Sequence, residues 1–437
     1  QSDQSSYDEL RKNMENKRLI IIISIAIIVL VLLVTAVVVI VSQNNNEEEG
    51  LINFEQPTVE ENEIEENNII DDEEIVEELP EVSEKGTIVE ERSLYRDENN
   101  DEAVIPAGFA VVKDSGTIDD GLVISDVLDD DMENSKQGNQ FVWIPVETPV
   151  LDVRSYDNDT DINNAIQESV NNGKYPMAIR ISDDNYAGVV YNFQSIRENT
   201  TIQVIPYTYG TETTQQEPSN LDTSLDNSNN IENWSNTTYQ EDFNEMMNKI
   251  RRDKGFWIAR FETSVGQDGM AQSKKMQDVL TNVSWFELYE TEKTLKTLTT
   301  TSHMVWGCQW DQIMIWLKEI RNGYSSDNAF AILNSTGLGN YADLELVDET
   351  GNVIKEEGVS IRYRAGEVTN AVIKNIYDLA GNVFEWTMES YYTSLREARG
   401  GYCAYDGVTY PLSSRYAFRP DYHGEHLVNI GSRMTIY

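Results

Sequence analysis

Few side chains in this sequence could do chemistry, and most of them lie toward its C-terminal end. The two cysteines are Cys308 and Cys403. Their spacing excludes a CxxC redox pair, and no clustered ligands accompany them for a zinc site. Two cysteines are too few for a disulfide scaffold, which leaves either one Cys308–Cys403 bridge or two separate buried thiols. The histidines are His303, His423 and His426. His423-x-x-His426 beside Asp421 and Glu425 has donors for a metal, but reads more simply as a solvated loop. Ser413 and Ser414 have no convincing His/Asp pairing in the sequence, so a serine hydrolase is not supported. The densest signal is aromatic: Tyr402, Tyr405, Asp406, Tyr410, Tyr422 and His423 crowd one segment. Tyrosine offers a large contact area at little entropic cost, with a hydrogen-bonding tip. These six residues therefore form the expected ligand-binding set. The alternative is that several of the rings are core, with Tyr416 assigned there.

The elements that must position these groups are legible in part. The folded region is expected to start near Ala103. VIPAGFAVV reads as a strand with an entering turn at Pro106-Ala107-Gly108, and QFVWIPV from Gln140 as a second strand with Pro145 near its end, where a missing donor is tolerated. Between Val150 and Lys249 the pattern weakens. Asp152 to Asn172 is acidic and Asn-rich, with a short helix expected around Ile162 to Val170. Thr208 to Thr238 reads as a long surface excursion. Phe243, Met246, Met247 and Ile250 then recur at helical spacing within Glu241 to Arg251. Cys308 to Ile320 gives the clearest helix, with Trp310, Ile313, Met314, Leu317 and Ile320 on one face and Asp311, Lys318 and Glu319 elsewhere.

The chain has 437 residues, with 33 Lys plus Arg against 76 Asp plus Glu, for a formal net charge of -43. Such a surface repels phosphates and anionic lipid, which argues against nucleic-acid binding. Leu19 to Val41 is a nearly unbroken apolar run. About 20 apolar residues suffice to cross a bilayer, and a secretory signal would be shorter and end in a cleavage site. A transmembrane helix is expected over 19–42. Arg11, Lys12, Lys17 and Arg18 precede it, and Glu47, Glu48 and Glu49 follow. The positive-inside rule then makes 1–18 a cytoplasmic tail and places the rest outside. From 43 to 102 the chain is dominated by Glu, Asp and Asn, with apolar pairs such as Ile69-Ile70 too scattered for a core. It reads as a disordered acidic stalk.

Blocks near the C-terminus carry a likeness. YDLAGNVFEWTMES from Tyr377, ARGGY from Ala398, SSRYAFRP from Ser413 and NIGSR from Asn429 follow in that order. Together with GFWIARFETS from Gly255 and TSHMVWGCQWDQIMIWL from Thr301, they resemble the formylglycine-generating-enzyme (sulfatase-modifying factor) family. The likeness covers roughly Pro106 to the C-terminus. It implies an α+β fold for 103–437, a variant of the C-type lectin fold with much irregular structure. It also implies a calcium loop, with Asp378 as the opening oxygen ligand, the carbonyls of Gly381 and Val383, and Glu385 as the closing carboxylate. Calcium needs six to eight oxygens, which a tight loop can supply in part. The alternative is that Glu385 pairs with an arginine such as Arg415 or Arg433, without metal. Active family members use a cysteine pair after an RGGS-like turn to bind copper and oxidise a substrate cysteine. Here Arg399-Gly400-Gly401-Tyr402 is followed by Cys403 alone, and no second cysteine lies near Pro411. One thiol does not make a two-thiolate site, so no copper is expected. Three histidines are equally poor for an iron-dependent relative. The tyrosine-rich segment falls where the family builds its pocket.

The expected protein is a single-pass cell-surface molecule, non-catalytic, that uses a lectin-like domain to bind an extracellular glycan or protein. Two rivals stand beside it. In one, Leu19 to Val41 packs in the core of a self-assembling pilus-like filament. In the other, the domain is a divergent oxidoreductase of the same family.

Overall fold

The computed structural model describes residues 78–82, 84–128, 137–156, 175–180, 186–194, 236–295, 297, 299–320, 323–348, 350–391, 395–422 and 430–437. These belong to the second of two units, Glu77–Tyr437. The apolar run Leu19 to Val41, most of the acidic stalk, the expected helix at 162–170, the excursion up to 235, and His423 and His426 lie outside the described residues. Among the described residues no helix is long and apolar enough to cross a membrane. The fold is mixed α+β with long irregular connections.

The strands Gln140–Pro145 and Gly255–Ala259 are central and buried along their whole length. They pair antiparallel, with Trp143 opposite Trp257. Successive side chains of a strand point to opposite faces. Phe141, Trp143, Trp257 and Ala259 therefore enter one apolar cluster, while Val142, Ile144, Phe256 and Ile258 enter the larger one on the other side. A sheet covered on both faces needs continuous apolar runs, which explains QFVWIP and GFWIA. Their sheet has six strands, in the order Ser302–Met304, Met434–Ile436, Gly255–Ala259, Gln140–Pro145, Val123–Ser125, Ala110–Val111. The turn at Pro106-Ala107-Gly108 is formed, with Gly108 at φ 89°, a left-handed angle suited to glycine.

The folded region begins earlier than Ala103. Ser93–Arg96 pairs antiparallel with Glu102–Ile105, and Tyr95 is buried. Leu79, Val82 and Val89 also pack on this side, so the stalk boundary moves toward the N-terminus. Charged residues around Leu94 and Tyr95 disguised this segment as stalk. The stretch from Val150, where the sequence pattern weakens, contains strands. Glu147–Tyr156, Tyr186–Gln194 and Tyr175–Arg180 form a three-stranded antiparallel sheet.

Among the described residues, four α-helices complete the frame. The first, α1 (Asn236–Asp253), buries Phe243, Met246, Met247 and Ile250 as their spacing predicts and starts within the expected excursion. Each such side chain contributes roughly 1.5–3 kcal/mol. The second, α2 (Trp285–Glu292), opens on a reciprocal capping box. Glu287 N donates to Ser284 Oγ at 3.2 Å, and Ser284 N donates to Glu287 Oε2 at 2.7 Å. The third, α3 (Gly307–Lys318), is buried all round rather than on one face. Asp311, Lys318 and the following Glu319, expected on a polar face, are buried with the rest. The fourth, α4 (Ser326–Leu333), is capped by Ser325.

Candidate functional site

A second sheet carries the tyrosine-rich segment. Its order is Arg415–Phe418, Leu395–Arg399, Phe384–Tyr391, Ile430–Ser432, and only the last pairing is parallel. The register sets Tyr416 opposite Ala398 and Ala398 opposite Trp386. The small Ala398 leaves room for rings on either side. Phe384 is fully buried, with Tyr402, Tyr405, Tyr410, Tyr416 and Phe418 all within 6.0 Å between ring centroids. Tyr405 stacks on Tyr410 at 4.3 Å, and Phe418 on Tyr422 at 5.4 Å. Tyr405, Tyr410, Tyr416, Phe418 and Tyr422 are half-buried, so their outer faces meet solvent.

The loop that delivers Tyr402, Tyr405 and Tyr410 is fixed by backbone geometry. Gly400 and Gly401 take φ 85° and 75°. A Cβ on Gly401 would lie 2.3 Å from the carbonyl oxygen of Tyr410. The Tyr341 hydroxyl lies 2.8 and 2.7 Å from the carbonyl oxygens of Gly400 and Tyr410 and ties the two ends together.

Of the expected ligand set, Tyr405, Tyr410 and Tyr422 stand on this face. Tyr402 is buried against Phe384, so it supports the face from below, whereas Tyr416, assigned to the core, is half-exposed. Asp406 is turned inward on its own loop, accepting from the backbone N–H of Val408 and Thr409 at 3.1 and 2.7 Å. Phe384, Tyr416, Phe418 and Tyr341 were missed as parts of the site. Strand alternation in Arg415-Tyr416-Ala417-Phe418 was the available signal for two of them.

The opposite side of this sheet is ionic. Arg399 bonds Asp311 and Glu389, each at 2.8 Å, and Arg415 bonds the same two acids at 2.7 and 2.6 Å. The four side chains close a ring that clamps α3 to the sheet.

The Asp378–Glu385 loop follows the arginine alternative. Arg433 Nε and Nη2 donate to the two oxygens of Glu385 at 2.9 and 2.7 Å. A guanidinium thus occupies the carboxylate that was to close a calcium site, and the set Asp378, Gly381, Val383, Glu385 does not fit the ion as proposed. Asp378 Oδ2 accepts from Gly366 N at 2.7 Å, while its buried Oδ1 has no partner. Glu262 faces the same cluster, accepting from Asn382 Nδ2 at 2.7 Å. Burial pushes all three carboxyls up, Asp378 to about 7, and Glu262 is raised further by the charges of Asp378 and Glu385.

Cys308 and Cys403 are separate buried thiols, not a bridge. Burial pushes the Cys403 thiol up to about 11, so it stays protonated at neutral pH and is a poor nucleophile and metal ligand. Ser413 and Ser414 are buried.

Set against known proteins, the chain matches no family model and no curated protein.

Proposed function

We propose that this chain is a non-catalytic recognition protein of the cell surface. In this reading Leu19 to Val41 anchors it, the N-terminus is cytoplasmic, and the unit from Glu77 stands outside on an acidic tether. The unit is a formylglycine-generating-enzyme-like variant of the C-type lectin fold, and it binds an extracellular glycan or protein.

The observation that carries this reading is the half-exposed aromatic face of Tyr405, Tyr410, Tyr416, Phe418 and Tyr422. Rings held by a rigid floor present contact area without losing freedom on binding. The protonated state of the Cys403 thiol weighs against thiolate oxidation chemistry in the same pocket.

A screen of glycans and candidate proteins with the full chain supplies the ligand. Alanine at Tyr405 and Tyr422 together should then weaken binding about 30-fold or more, as for hot-spot rings. Unchanged affinity in a variant with an unchanged melting curve overturns the proposal.

A further inference from the structure

A cavity of about 170 Å³ opens beside the central strands, away from the tyrosine face. Its walls include Trp143, Phe256, Trp257 and Tyr437, all buried, with the two indoles 5.0 Å apart between centroids. An apolar hole of roughly 150 Å³ holds one benzene ring. This one therefore admits a single six-membered ring with a short substituent.

The wall contains an unmatched donor. Trp143 is 1% exposed, and its Nε1–H has no hydrogen-bond partner. The Cζ2–Cε2 edge of that indole lies against Gly255, another wall residue, where an added Cβ would stand 2.3 Å from Trp143 Cζ2 and 2.7 Å from Cε2, the atom bonded to Nε1. The neighbouring indole is satisfied, since Trp257 Nε1 donates to the Val104 carbonyl at 2.9 Å. A buried donor of this kind asks for an acceptor.

The mouth is basic in a chain of formal charge -43. Arg92, Lys249 and Arg252 line it beside one carboxylate, Asp253, which both arginines engage at 2.7 Å. The Lys249 ammonium pairs with Glu245 and lies 5.5 Å from the centre of the Tyr437 ring. An anion at the mouth would be shared among three cations that engage Asp253 and Glu245.

We propose that this cavity binds a single-ring aromatic carboxylic acid, with the ring against Trp143, Trp257 and Tyr437 and the carboxylate toward the Trp143 N–H and Lys249. The site shares no residue with the tyrosine face and goes beyond the proposed function.

The test uses the full chain in lipid nanodiscs, with phenylacetate as probe, read by calorimetric titration and tryptophan fluorescence. The expected result is saturable binding, weaker for phenylacetamide. Trp143→Phe keeps a ring but removes the donor and should lose about tenfold in affinity, roughly one hydrogen bond. Arg252→Ala, at the exposed rim, should weaken phenylacetate more than phenylacetamide, and it decides the matter if Trp143→Phe fails to fold. The Tyr405→Ala/Tyr422→Ala variant should bind the probe as the parent does. No saturable binding at millimolar phenylacetate overturns the proposal. So does parental affinity in a folded Arg252→Ala together with parental or untestable behaviour of Trp143→Phe.

Discussion

Glu292 is fully buried, with the hydroxyls of Thr263 and Ser432 each 2.6 Å from Oε1 and no partner on Oε2. Burial pushes its carboxyl up to about 8, and Asp378 follows at about 7. In the unfolded chain both ionise near the ordinary carboxylate value of about 4. Folding therefore favours their protonated forms. That contribution is complete below about pH 4 and is lost as pH rises through 7 and 8. Melting temperature should fall from about pH 4 to about pH 8 and level off above that, and Glu292→Gln should flatten the fall, which melts across that range would read directly. At Glu385 the counter-ion is Arg433, so Arg433→Met should cost about 3–5 kcal/mol in denaturant unfolding, while a chelator should leave the melting temperature where it was. A fall on chelation would bring calcium back through Asp378 Oδ1. The Glu385–Arg433 alternative was visible in the motif because both residues belong to it. Glu262 and Glu292 were not, because a glutamate in the chain between two strands or at a helix end reads as a solvated residue until tertiary packing encloses it.

At the scale of elements, α3 shows how a helix can be buried on every side and still be polar. Asp311 sits in a ring with Glu389, Arg399 and Arg415, two acids against two bases, so the buried charge closes to zero. Asp311→Asn leaves one guanidinium in excess and should cost about 3 kcal/mol or more by urea unfolding. Adding Arg415→Met should cost less than the sum of the two single changes, since it restores neutrality. Apolar spacing located α3, but it also put Asp311 and Lys318 on an outer face, because periodicity measures hydrophobicity and is blind to paired charge. For α2, Ser284 and Glu287 formed a legible capping signature that was passed over. Ser284→Ala should cost about 1 kcal/mol. The central strands were legible because burial on both faces demands unbroken apolar runs. The three-stranded sheet from Glu147 was not, since Asp152, Arg154 and the surrounding Asn-rich chain masked its β-branched and aromatic positions. The tyrosine face was found as a composition, and only tertiary packing separates the supporting Tyr402, buried in its loop, from the half-buried Tyr416 on its strand.

For the whole molecule, composition and packing divide the chain at different places, and the difference is testable. Composition alone runs the acidic tether to residue 102, whereas packing draws Ser93–Arg96 and the apolar contacts of Leu79, Val82 and Val89 into the folded unit. Backbone in a paired strand resists proteases, because cleavage needs it to open first. Acidic, core-less chain such as Gln43 to Glu77 has no such protection if it is extended as its composition implies. On sealed vesicles with the native orientation, external protease should therefore release a fragment beginning before Leu79, not near Ala103, as N-terminal sequencing and mass would show. The fragment should keep the tyrosine face and the Trp143 cavity together, so ligand binding should survive release. A fragment that begins after Arg96 would mean that the Ser93–Arg96 pairing is too weak to belong to the unit. Protection of the whole chain from external protease would reverse the orientation that Arg11, Lys12, Lys17 and Arg18 imply, and with it the extracellular ligand.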